Sequence, residues 1–181
     1  MELVGASYLY ALSTISMTFV GYARLLLALR ETPGHAISSY DTYFTLSFMQ
    51  AGFIVTAGGL MPQLLAFCQL PLPWVWRLSS AAISIPIALF VAVTPRRRRR
   101  AVQEPVPLFI RILLGLQLLA ALALACNAAN LAEPLQLAIY ALSMTVMLFT
   151  SVIAYVIALG RALRARGSPS QTLKAPSSAM W

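Results

Sequence analysis

Three glutamines, Gln50, Gln63 and Gln117, stand inside long uncharged stretches of the chain. A primary amide has both donors and an acceptor, and in hydrocarbon each needs a partner. Thr45 and Thr56 share the stretch that holds Gln50 and Gln63. With Gln117 they admit two readings: a polar path through a bundle, or bonds that pin neighbouring helices. The carboxylates are placed differently. Glu2, Glu31, Asp41, Glu104 and Glu133 all fall at the ends of apolar stretches or between them. Ion-coupled transporters keep an acidic group near the bilayer midplane, and acid–base catalysis needs converging titratable groups. No catalytic residue is assigned, and the chain is expected to be non-enzymatic.

His35 is the only histidine and Lys174 the only lysine. A haem held between two histidines of one chain is therefore excluded, and a retinal-type Schiff base has no lysine within a span. Cys68 and Cys126 do not form a C-x-x-C motif; they are either a bridge on an oxidising face or two small apolar side chains. No G-x-S-x-G, H-E-x-x-H or P-loop pattern occurs. No metal or cofactor is expected.

The basic residues are better organised. Arg96, Arg97, Arg98, Arg99 and Arg100 form an unbroken run between two apolar stretches. Five guanidiniums are too costly to hold in hydrocarbon, so the run is expected to lie in water beside anionic headgroups. Arg24 follows an apolar stretch and Asp41 precedes the next one. They are read as a pair at the inner mouth of a hairpin, or Arg24 simply anchors its helix at the headgroups.

These residues must be positioned by membrane helices. The chain has 181 residues, 60% hydrophobic and 10% charged, with a mean hydropathy of +0.79. A soluble domain carries about a quarter charged residues, so a polytopic membrane protein is the natural class. The net charge of +8 flanks apolar runs, which suits a membrane surface and not nucleic acid. The N-terminus lacks a basic n-region, so its apolar stretch reads as a permanent helix and not a cleaved leader. Five helices are expected in one transmembrane domain over 1–166, at about 3–29, 42–69, 74–94, 108–128 and 134–160. Pro71 and Pro73 break the second from the third, and Pro86 should kink the third, with Ser84 supporting the freed carbonyl. Residues 167–181 read as a disordered cytoplasmic tail.

With the arginine run in the cytoplasm, every one of the 13 Lys and Arg except Arg77 falls on that side. The positive-inside rule then puts the N-terminus outside and the C-terminus in the cytoplasm. In lipid, close packing holds helices together. Helix one carries Ser7, Ala11, Thr14, Thr18 and Gly21; helix two carries Thr45, Met49, Gly52, Thr56, Gly59 and Gln63. Both alternate steps of three and four, the rhythm of a left-handed pair, so the two are expected to form a close antiparallel hairpin through these stripes.

The segment Ile15–Arg24 (ISMTFVGYAR), followed by Trp76-Arg77-Leu78, a helix, a basic run and a leucine-rich fourth span, resembles an uncharacterised group of small bacterial multi-pass membrane proteins. In that group a Phe-Val-Gly or Phe-Ala-Gly motif closes helix one; here Tyr22 stands where Phe is expected. The resemblance implies a bacterial inner membrane and no known activity. Function then divides between an accessory or scaffolding protein, working as a homo-oligomer or with a membrane-protein partner, and an oligomeric channel or uncoupled transporter lined by helices one and two.

Overall fold

The computed structural model describes residues 5–30, 39–102, 107–131 and 133–167. The expected tail beyond 167, His35, Glu104 and Lys174 lie outside the described residues, as do the side chains of Asp41 and Arg100. All regular structure described is helical: α1 (Ala6–Arg30), α2 (Ser39–Phe67), α3 (Leu72–Val102), α4 (Leu108–Ala128) and α5 (Gln136–Gly167). Four of these are long and apolar enough to cross a membrane, over Thr42–Phe67, Leu72–Arg99, Leu108–Ala128 and Gln136–Gly160. Helix α1 is not among them; its Ser, Thr and Tyr residues lower its hydropathy.

Two helices outrun their expected ends. α3 continues past 94 through the arginine run, and α5 continues past 160 to Gly167. Entry into water does not end a helix. Arginine is a good helix former, and cations at a C-terminus suit the helix dipole. The arginine run is therefore helical and not a loop.

α2, α3, α4 and α5 form a closed ring, each packed on the next, with α3 and α5 also touching across it. α1 lies outside the ring, against α2 and an edge of α5. Leu9, Val55, Ile83, Ile87, Leu124, Tyr140, Met144 and Met147 are among the side chains that fill the core.

The α1–α2 hairpin is close, and α2 presents the expected stripe. Thr45, Gly52 and Gly59 are buried there. The α1 stripe is corrected: Ser7, Ala11, Thr14, Thr18 and Gly21 are all exposed. The buried set is Leu9, Leu12, Ser13, Ser16, Val20, Ala23 and Leu27; without Leu12 it is the same rhythm moved by two residues. At about 100° per residue, that move turns the contact to the opposite face. The reason lies in the hydroxyls. Ser16 Oγ donates to Gly52 O at 2.9 Å, and Ser13 Oγ is shared between Leu9 O of its own helix at 3.0 Å and Thr56 O at 3.2 Å. Thr14 and Thr18 instead donate to their own helix, to Tyr10 O and Thr14 O, and so can face lipid. Gly52 and Gly59 permit the approach: a Cβ on Gly59 would stand 2.7 Å from Leu9 O and collide with Ser13 Oγ, and one on Gly52 would collide with Val20.

Three prolines lie inside the spans, Pro62, Pro86 and Pro95. Pro62 sits inside α2 and cannot donate to the carbonyl four residues back, Gly58 O. Tyr140 of α5, itself fully buried, donates to that carbonyl at 2.6 Å. Pro86 interrupts α3; Ser84 Oγ donates to Ala81 O at 3.0 Å and not to the freed Ala82 O as expected, because its short side chain reaches back along its own turn.

At the end away from the arginine run, α4 closes in a Schellman turn. Asn130 takes φ 61°, Leu131 N donates to Cys126 O and Asn130 N to Asn127 O, both at 3.1 Å. Asn127, fully buried, donates to Ser80 Oγ at 2.9 Å and Gln136 O at 3.1 Å, tying α4 to α3 and α5. Arg77 donates through Nε to Ala128 O at 3.3 Å and lies 4.7 Å from the Trp74 ring centroid. Cys68 and Cys126 are exposed, free thiols.

Candidate functional site

On α3, Ile83, Ile87, Phe90, Thr94 and Arg98 recur at steps of three and four, which is one helix face. The inner members of that face are buried, and the periodicity does not stop where the charges start. Arg98 is accordingly only 2% exposed, whereas Arg96, Arg97 and Arg99 are exposed. The expectation that all five arginines meet headgroups is corrected for Arg98: helical continuation turns it inward.

Arg98 closes a cavity of about 60 Å³ in the half of the ring nearer the arginines. α2 supplies Tyr43, Phe44, Ser47 and Phe48, α4 supplies Leu113 and Gln117, and α5 supplies Thr150, Ser151 and Tyr155. The Phe44 ring lies 5.9 Å from the guanidinium carbon. Phe48 and Tyr155 stack at 4.5 Å across α2 and α5. Tyr43 Oη donates to Thr94 O at 3.1 Å and ties α2 to α3 at the cavity wall.

Two polar groups in this wall are unsatisfied. Arg98 Nε and Nη1 have no hydrogen-bond partner, and neither does Gln117 Oε1. The orientation of the Gln117 amide follows from its neighbours. Thr150 Oγ1 donates to Val146 O and Ser151 Oγ to Met147 O, each at 2.7 Å. Both hydroxyl protons are thus committed, so the two hydroxyl oxygens accept from Gln117 Nε2, at 3.0 and 3.3 Å. The Gln117 oxygen is left without a donor.

The other residues of the predicted polar set are not brought together here. Gln63 donates to Ala6 O at 3.3 Å, and Thr56 meets Ser13, so both serve the α1–α2 contact with Gly52 and Gly59. Thr45 is buried in heptad register with Gly52 and Gly59. Gln50 is exposed and accepts from Arg97 Nη1 at 3.0 Å. It lines a separate groove of about 340 Å³ between α2 and α3, walled by Phe53, Ile54, Leu89 and Val93. Groove and cavity share Ser47, Phe90 and Thr94. Arg24 is exposed; the Asp41 side chain with which it was expected to pair lies outside the described residues.

The residues that sequence reasoning passed over are Arg98 as an inward group, Tyr140 and Asn127. A signal for Arg98 existed in the apolar periodicity of α3. Tyr140 had a weaker one, since Pro62 within an apolar stretch calls for a donor from another helix. No family model matches the chain, and neither a curated protein nor a solved structure matches it closely enough to carry an inference.

Proposed function

We propose that the chain is a five-span integral membrane protein of a bacterial inner membrane, with the arginine run and the C-terminus in the cytoplasm. It acts as a non-enzymatic accessory or scaffolding component, either as a homo-oligomer or beside a membrane-protein partner. The observation that carries the fifth span is the register of α1 on α2. Contacts run from Ala6 with Gln63, through Ser13 with Thr56, to Ser16 with Gly52. A helix held antiparallel along so much of a spanning helix crosses with it. Arg96, Arg97 and Arg99 on the surface suit anionic lipid, at about 1 kcal/mol per basic residue. The bacterial setting rests on the sequence resemblance.

The scaffolding role rests on where the polar groups spend their bonds. Ser13, Ser16, Gln63, Asn127 and Tyr140 each bind a neighbouring helix. The middle of the ring is filled by Ile87, Leu124, Met144 and Met147, which favours a scaffold over a water path within one copy. Truncated fusions ending at residues 34, 70, 104, 131 and 175 test the topology. A periplasm-active reporter is expected to work at 70 and 131 only. Activity at 34 would reverse the first span, and a cysteine tag at the N-terminus tests its existence: labelling from the periplasm supports the span, and labelling from the cytoplasm alone removes it. Purification in mild detergent, with mass and companions measured, tests the role. Co-purification of a partner or a defined oligomer without ion flux in liposomes supports it; flux abolished by Gln50→Leu or Thr56→Leu would replace it with a channel.

A further inference from the structure

We propose that the cavity beneath Arg98 binds a phosphate ester, with its phosphate on the Arg98 guanidinium and a hydroxyl of the same molecule on the Gln117 amide oxygen. Arg98 and Gln117 both line the cavity, and each carries buried atoms without a partner, charged donors on the one and an acceptor on the other. Burying such groups dry is costly, and more so for a charge. A chloride would answer Arg98 alone. A water would answer Gln117 and leave the charge uncompensated. A phosphate that carries or adjoins a hydroxyl answers both.

Size and shape agree. A water needs about 10–15 Å³ of such volume, so the cavity of about 60 Å³ holds roughly four to six water-sized groups. That admits a phosphate group with little besides and excludes a nucleotide, so the remainder of a larger ester lies outside the cavity. The Phe44 ring lies 5.9 Å from the guanidinium carbon, and arginine is the cation best suited to phosphate because its N–H groups are planar and always charged. Two sources share this chemistry. One is a small soluble phosphate ester entering from the basic end. The other is a glycerol-bearing phospholipid, its acyl chains in the neighbouring groove of Phe53, Ile54 and Leu89 and its headgroup past the shared wall of Ser47 and Thr94.

The test uses the full chain in uncharged detergent and reads the unfolding temperature. The probes are inorganic phosphate, sulfate, glycerol 3-phosphate, and micelles doped with phosphatidylglycerol against micelles doped with diacylglycerol. At least one phosphate probe is expected to stabilise saturably, with the midpoint raised about tenfold or more in Arg98→Gln and unchanged in Arg99→Gln. Saturation by a soluble ester assigns the free ligand; saturation by phosphatidylglycerol alone assigns the lipid. Sulfate, which has no O–H at neutral pH, should bind more weakly than inorganic phosphate, and Gln117→Met should erase that preference if the soluble ester is the ligand. No saturable stabilisation by any phosphate probe, or equal losses in Arg98→Gln and Arg99→Gln, overturns the proposal. Should Arg98→Gln fail to fold, Gln117→Met decides: an unchanged midpoint for the best phosphate probe overturns it as well.

Discussion

Tyr140 is a hydroxyl placed to serve another helix's missing donor. Pro62 leaves Gly58 O without its usual N–H, and the buried Tyr140 hydroxyl fills the vacancy at 2.6 Å. Tyr140→Phe should cost about 1–2 kcal/mol, since a buried carbonyl loses its donor. In a Pro62→Ala background a backbone N–H returns to that carbonyl, and the same substitution should cost under about 0.5 kcal/mol. Unfolding of the four proteins in mixed micelles measures this cycle; equal costs in both backgrounds would show that Tyr140 acts by packing alone. At this scale the sequence was partly readable. Gln63 and Gln117 could be seen to need partners because an amide in an apolar stretch is visible in one dimension. Which partner answers is set by a distant helix, as Ala6 answers Gln63 and Thr150 answers Gln117.

Among the elements, α1 and α2 show what pattern can and cannot decide. The three–four rhythm was legible on both helices. On α2, Gly52 and Gly59 admit one face because only glycine leaves the room. On α1, two faces two residues apart both carry small and hydroxylated side chains, and rhythm does not choose between them. The choice falls to Ser16, which reaches a carbonyl of the partner, and to Ser13, which shares its proton between Leu9 O and Thr56 O, over Thr14 and Thr18, which bond only within their own turns. Gly59→Ala should therefore destabilise the fold by about 1–3 kcal/mol, because the added carbon meets the backbone of α1. Gly115→Ala, where nothing lies within 4 Å, should be neutral or gain about 0.5–1 kcal/mol from helix propensity. Chemical unfolding of both variants checks the contrast, and a Gly59→Ala protein as stable as the parent would mean the hairpin is looser than described. The ends of α3 and α5 were misjudged for a simpler reason: apolarity marks where a span stops, and helicity carries on.

In the molecule as a whole, four helices close a ring and α1 braces it from outside through α2. Composition and spacing revealed the helical class and the order of elements, since the expected α4 matches Leu108–Ala128 residue for residue. The closing of the ring around a cavity was not legible, because it depends on which helices become neighbours. The two roles proposed for the arginine run are separated by a single experiment. Replacing Arg96, Arg97, Arg99 and Arg100 by Gln should yield mixed reporter signals at residue 104, as some chains insert inverted. The same protein should keep the Arg98-dependent stabilisation by phosphate probes. Uniform orientation in that variant would shift the topogenic role to the remaining basic residues. Because all five positions hold the same amino acid and α3 is fixed from its other end, loss of one or two arginine codons still leaves an arginine at position 98; only a third loss brings alanine there. The inward position thus keeps its cation through the deletion of one or two residues, a redundancy that a lone arginine flanked by other residues would lack.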